Sequence, residues 1–112
     1  MAALKIYLCD LTHDTIVLVT DTFPLNVGLI GSYAKTIFGD DIDITLFKYP
    51  DAAVEAIVSD PPDVIALSNY SWNSHLSEAV AGLAKKMNPL VITVQGGTNF
   101  PNNADQQLEF LL

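Results

Sequence analysis

Residues 62–73 read PDVIALSNYSWN, directly after Pro61. A Pro-Pro-Asp turn feeds a short apolar run, Val64 to Leu67, which breaks off at Ser68. A run of this length between turn residues is the pattern of a strand buried on both faces. Ser68, Asn69, Tyr70, Ser71, Trp72 and Asn73 then mix small polar groups with two large aromatics. That mixture fills a core poorly. It suits a flat, partly polar ligand, because each aromatic offers a ring face and a polar handle.

The segments on either side line up with this strand. Leu4 to Cys9 (LKIYLC) alternates and is rich in β-formers, so it reads as a first strand. The connection from Asp10 to Phe23 is long and contains the apolar run Ile16-Val17-Leu18-Val19. That run reads either as a hairpin partner of the first strand or as a loop covering an apolar surface. Pro24 opens a helix at a position where its missing N–H costs nothing, and Gly39 closes it. Leu25, Leu29, Tyr33 and Ile37, with Val27, Ile30 and Ala34, recur at helical spacing. Gly28 and Gly31 inside this helix cost about 1 kcal/mol each relative to alanine, which points to close approach of a neighbouring strand, or else of a ligand at the helix start, with packing the favoured of the two.

Ile42 to Phe47 (IDITLF) is the second strand, and Pro50-Asp51 start a helix that Pro61-Pro62 end. Asn73 or Ser74 caps the third helix, whose apolar stripe is Leu76, Val80, Leu83, Ala84 and Met87. Asn88-Pro89 end it. Leu90 to Val94 (LVITV) is the fourth strand, and a last helix begins near Asn103 or Ala104.

Strands and helices therefore alternate throughout. That order specifies a three-layer α/β domain of Rossmann or flavodoxin-like type, with a parallel sheet, right-handed crossovers and strand order 2-1-3-4. The final helix has no stop signal, and the fourth strand is apolar on both faces although it lies at the sheet edge. Both features suggest that residues 1–112 form one domain of a longer protein that continues into a fifth strand. In this chain the exposed edge is expected to pair with a second copy.

Composition narrows the function. The 112 residues suffice for one core, and 50% hydrophobic against 16% charged residues is a folded composition. Thirteen acidic residues against five basic ones leave a net charge of −8, so no basic face is expected for a nucleic acid or an anionic membrane. The single cysteine, Cys9, has no partner for an internal disulfide and cannot by itself hold an iron–sulfur cluster or structural zinc; it reads as a small buried thiol. No apolar run approaches the roughly 20 residues a membrane helix needs, and no leader pattern opens the chain, so a cytoplasmic location is expected. No nucleophile–base pair or carboxylate pair is recognisable, and the chain by itself is expected to catalyse nothing.

In an open parallel sheet, ligands bind beyond the C-terminal strand ends, where the strand order reverses. Here that switch lies between the first and third strands. Three loops converge on it: residues 10–24, residues 68–73 with Tyr70 and Trp72, and residues 95–101 with Gly96-Gly97. A double glycine there lets a ligand lie against backbone.

The pieces Thr12-His13, Phe23-Pro24-Leu25-x-Val27-Gly28, Pro62-Asp63-Val64, Ser68-Asn69-Tyr70-Ser71-Trp72-Asn73, Asn88-Pro89 and Gly96-Gly97-Thr98-Asn99-Phe100-Pro101 occur in that order along nearly the whole chain. In them the chain resembles the cobalamin-binding N-terminal domain of radical SAM enzymes. The resemblance implies a cobalamin held over the C-terminal edge of the sheet, with its nucleotide tail between the third and fourth strand ends. It implies that Thr12, His13, Ser68, Asn69, Tyr70, Ser71, Trp72, Asn73, Gly96, Gly97, Thr98 and Asn99 surround the cofactor. Ser68 and Ser71 would bond the tail or its phosphate. Asn69, Tyr70, Trp72 and Asn73 would shape the corrin-facing wall. Gly96 and Gly97 would admit the tail, and Thr98 and Asn99 would donate hydrogen bonds. A radical SAM barrel with S-adenosylmethionine and an iron–sulfur cluster would belong to the parent protein. His13 departs from the DxHxxG spacing of methionine-synthase-type domains, with Asp10-x-x-His13 and no following glycine, so it is not expected to ligate cobalt.

Strand capping explains Ser68 and Ser71 equally well. Packing of helix on sheet explains Tyr70 and Trp72, and a tight turn explains Gly96-Gly97. The loops rule out one related function, a phosphoacceptor receiver, and disfavour a second, flavin binding, without ruling it out. A phosphoacceptor receiver needs an aspartate where Ser68 stands, and a flavin phosphate loop needs glycine where residues 10–15 carry carboxylates. The main alternative is a cofactor-free interaction or lid domain of the same kind of parent.

Overall fold

In the computed structural model, which describes residues 3–11, 25–70, 73–97 and 103–111, the sheet has four strands. These are β1 (Leu4–Cys9), β2 (Ile42–Phe47), β3 (Val64–Ser68) and β4 (Ile92–Gly96), all parallel, in the order β2-β1-β3-β4. Helices α1 (Leu25–Phe38), α2 (Pro50–Ser59), α3 (Ser74–Met87) and α4 (Ala104–Leu111) alternate with them, as the apolar periodicity implies. The expected doubly wound α/β arrangement is the one observed. Among the described residues, no helix is long and apolar enough to cross a membrane.

The two faces of the sheet differ. On one, Tyr7, Cys9, Ile65 and Leu67 point at Ala53 and Ile57 of α2 and at Val80 and Ala84 of α3, and these residues are the buried core. Tyr7 and Phe47 meet edge to face at 5.0 Å between ring centroids. On the other face, α1 covers the β1–β2 half through its glycine side. A Cβ on Gly31 would lie 3.2 Å from Leu8 Cδ1 and 3.6 Å from Ile44 Cγ2, so a methyl there would press on Leu8 by a few tenths of an ångström and the glycine eases the close approach of the helix. The larger apolar residues of α1, Leu29, Tyr33 and Ile37, face outward and are exposed. The β3–β4 half of this face is open, with Ile92 61% and Val94 48% exposed. The third strand is therefore buried fully on one face and only half-buried on the other, which its sequence alone does not reveal.

One boundary moves. The apolar run predicts a strand from Leu90 to Val94, but β4 begins at Ile92 and extends through Gln95 and Gly96. The cause is a turn fixed by Asn88. Its side chain accepts from the Leu90 N–H (3.1 Å), its carbonyl accepts from Val91 N–H (2.9 Å), and its Nδ2 donates to Pro62 O (3.1 Å). Leu90 is thereby held off the ladder, and pairing starts where Ile92 N–H reaches Asp63 O (3.1 Å). The last helix begins at Ala104, within the expected start, and Asn103 Oδ1 accepts from the Asp105 and Gln106 N–H groups at 2.9 and 3.3 Å.

The N-terminal rim of the sheet is tied shut. Lys5 N–H donates to Asp63 Oδ2 (2.9 Å), the Lys5 ammonium pairs with Asp60, and Tyr7 OH donates to Asp60 O (2.5 Å). Hydrogen bonding to Asp60 raises the Lys5 pKa, while desolvation raises that of Tyr7. The opposite rim has the cavity.

Candidate functional site

At the C-terminal rim, the strand ends bring together Asp10 after β1, Ser68-Asn69-Tyr70 after β3 and Gly96-Gly97 at the end of β4. Residues two apart on a strand share a face, so register fixes what lines it. Leu8, Ala66 and Val94 are cross-strand neighbours in one row, and Ser68 and Gly96 are paired in the next row toward the rim. Small residues at Ala66, Ser68 and Gly96 leave a hollow on the α1 side of the sheet. Its volume is about 350 Å³. Leu8, Ala66 and Val94 line it below, Ile30 of α1 lines its side, and Ser68, Tyr70, Gly96 and Gly97 line its upper end.

Ser68 is fixed by partners distant in sequence. Its hydroxyl donates to Asp10 Oδ1 (2.6 Å) and accepts from Asn73 Nδ2 (3.0 Å), while its carbonyl accepts from Ser77 Oγ (2.7 Å). A serine hydroxyl has one proton and two lone pairs. The proton is committed to Asp10 and one lone pair to Asn73, so what Ser68 retains is a single acceptor site. Asn73 stands at the expected cap position of α3, but its side chain does not cap. Instead Nδ2 also donates to Leu11 O (3.1 Å), and Oδ1 accepts from Tyr70 N–H (2.8 Å). Asn73 is 1% exposed, and it ties the ends of β1 and β3 together from behind the rim rather than lining the hollow. Asn69 is also buried. Its N–H donates to Gly96 O (2.6 Å) and its amide nitrogen to Gln95 Oε1.

The two glycines have different surroundings. Gly97 has φ +126°, and a Cβ there would lie 2.7 Å from Asn69 O and 3.2 Å from Tyr70 Cε1. The chain itself fills the space beside Gly97. A Cβ on Gly96 meets nothing within 4 Å. Tyr70 and the paired glycines are therefore neighbours at one rim.

Of the residues singled out in the sequence, Ser68, Asn69, Tyr70, Asn73, Gly96 and Gly97 meet at this rim. Thr12, His13, Ser71, Trp72, Thr98 and Asn99 lie outside the described residues, as does the run Ile16-Val17-Leu18-Val19. Sequence reasoning missed Leu8, Ile30, Ala66 and Val94, which line the hollow. One signal was present: Ala66 is the only small residue in an otherwise bulky apolar run. Among the described residues, no cluster of three His, Cys, Asp or Glu side chains is placed to hold a metal ion.

No family model matches the chain. Over 83 residues it is 34% identical to the 2-(S-pantetheinyl)-carbapenam-3-carboxylate methyltransferase of Streptantibioticus cattleyicolor, a match covering 70% of this chain and 12% of that protein. Over 85 residues it is 33% identical to the cobalamin-dependent radical SAM methyltransferase TokK of Streptomyces tokunonensis, again covering 70% of this chain and 12% of the relative. The chain thus spans a small part of the length of the curated relatives it matches. What it resembles is a segment of two methyltransferases, one of them cobalamin-dependent.

Proposed function

We propose that this chain is a cobalamin-binding module of a radical SAM enzyme, seating the corrinoid at the C-terminal edge of the sheet. The observation that carries the reading is the apolar hollow at the topological switch, open at Gly96 and bounded by Tyr70. Its volume lies near the lower end of the roughly 300–1,000 Å³ typical of small-molecule sites, which suits one ring-sized group and not a whole corrin. The nucleotide tail enters the hollow, and the macrocycle lies above the rim. The similarity to a cobalamin-dependent radical SAM methyltransferase supports the same cofactor.

The rim residues divide the work. Gly96 admits the tail, Tyr70 offers a ring face beside it, and Ser68 accepts a hydrogen bond through its remaining lone pair. A phosphate oxygen cannot use that lone pair, so the backbone and the residues of the third loop, Thr98 and Asn99, serve the phosphate. Thr12, His13, Ser71 and Trp72 belong to the loops that flank the macrocycle, and His13 does not ligate cobalt. Asn69 and Asn73 hold the wall in place from behind. Bound cobalamin supplies methyl-carrier chemistry to the enzyme. S-adenosylmethionine and an iron–sulfur cluster belong to the catalytic barrel of the parent protein, which is the module's partner.

The test is direct. The purified chain is incubated with hydroxocobalamin and passed over a sizing column. Corrinoid absorbance is expected to elute with the protein. Elution of all the corrinoid at the free position, for this chain and for the parent protein alike, favours the cofactor-free interaction module. The exposed Leu29, Tyr33 and Ile37 of α1 support that second reading, since a docking face needs them and a cofactor seat does not.

A further inference from the structure

We infer that Ala66 sets the depth of the hollow and thereby selects corrinoids by the size of their lower nucleotide base, an inference that rests on the cobalamin reading above. Leu8, Ala66 and Val94 are direct neighbours across β1, β3 and β4 on the α1 side of the sheet. Two bulky residues flank one methyl group, so the row has a notch at its middle. The next row toward the rim pairs Ser68 with Gly96, again without bulk. The two rows together make a channel along the sheet face that passes over the Ser68–Gly96 pair and has Ala66 as its floor. All five residues line the one hollow.

Neighbouring atoms do not fill this channel. A Cβ on Gly96 meets nothing within 4 Å, whereas one on Gly97 would strike Asn69 O at 2.7 Å. The space is therefore continuous along Gly96 and closed at Gly97. Its lower walls are aliphatic, from Leu8, Val94 and Ile30. An aromatic base with apolar edges fits such walls, and a base carrying an unpaired polar edge is penalised there because nothing apolar can bond it. The channel therefore favours a benzimidazole-type base over a purine, and the floor at Ala66 limits how deeply it sits.

The test compares corrinoids that differ only below the ring. Binding of cobalamin, of a purine-tailed corrinoid and of cobinamide, which has no nucleotide, is measured by absorbance titration for the full chain and for Ala66→Leu. The native chain is expected to bind cobalamin more tightly than either of the others. Ala66→Leu is expected to reduce the preference for cobalamin over cobinamide by about tenfold, read as the ratio of the two dissociation constants. Circular dichroism establishes that the variant is folded. Should it not fold, Gly96→Val at the channel mouth is the second variant, with the same ratio as readout.

The outcomes separate. A chain that binds cobalamin and cobinamide equally keeps the cobalamin reading and overturns the channel. A folded Ala66→Leu that retains the native preference overturns the assignment to Ala66. If the native chain binds neither corrinoid the same titrations are made on the parent protein, and binding of neither corrinoid there as well overturns the cobalamin reading, and this inference with it.

Discussion

Adjacent glycines at 96 and 97 have opposite sensitivities to a methyl group. Gly97 holds φ +126°, and its missing Cβ would overlap the Asn69 carbonyl at 2.7 Å. An alanine there must move the backbone or strain it, a cost of about 1–3 kcal/mol. Gly96 lies in a strand with open space around its Cα, so alanine is expected to change stability by no more than about 0.5 kcal/mol. Urea midpoints of Gly96→Ala and Gly97→Ala test the distinction, and equal midpoints for the two variants would contradict it. Cys9 supports a second prediction at this scale. It is fully buried, and burial pushes its thiol from the ordinary 9.0 up to about 12. Between those values the unfolded thiol has lost its proton while the folded one keeps it, so the unfolded state binds fewer protons. Stability therefore falls as pH rises from about 9 toward 12, by up to about 1.4 kcal/mol per pH unit. Cys9→Ala lacks this titration, and its unfolding free energy is expected to decline less steeply above pH 9. Parallel slopes for the two proteins would show that the thiol does not titrate in this window.

The strand β4 is the element whose exposure has a consequence. Ile92 N–H bonds to Asp63 O and Asn69 N–H bonds to Gly96 O, so the even-numbered residues of β4 pair with β3. In a parallel ladder the intervening residues, Thr93 and Gln95, then direct their backbone groups outward at the sheet edge. With Ile92 and Val94 exposed beside them, this edge can pair with another strand. Self-association that rises with protein concentration is expected, and Ile92→Lys is expected to weaken it without changing the circular dichroism spectrum. Sedimentation of the native chain as a monomer at high concentration would remove the idea. Elements were easy to read in the sequence because each has its own period: alternation in IDITLF, helical spacing from Leu76 to Met87, proline before and after α2. The start of β4 was not, because Asn88 forms its turn with side-chain and main-chain bonds that hydropathy does not register. The rim was legible only in part. Loop composition picked out Ser68, Tyr70 and the glycines. The links from Ser68 to Asp10 and from Asn73 to Leu11 join residues 58 and 62 positions apart, and only the register of β1 against β3 brings them together.

Across the whole molecule, the two sides of the sheet are built unequally. The α2–α3 side contains Tyr7, Cys9, Ile57, Ile65, Leu67, Val80 and Ala84 in one continuous buried cluster. The α1 side has close packing at Gly31 and a hollow beyond it, while Tyr33 of α1 is 71% exposed. Apolar burial is what resists local opening, so a helix that buries little opens at lower free energy than the domain as a whole. Amides of α1 are accordingly expected to exchange with deuterium well before those of α2 and α3. The hollow lies between α1 and the sheet, with Ile30 on one side and Ala66 and Val94 on the other. A ligand group seated there supplies the contacts that α1 lacks, and binding energy confined to the closed form suppresses its opening. Cobalamin is therefore expected to slow exchange in α1 and at the end of β4, and to leave α2 unchanged. Exchange in α1 as slow as in α3 without ligand would show that the helix is held by something other than the packing at Gly31. Slowing spread evenly over all four helices would show that the ligand acts on global stability and not at the hollow.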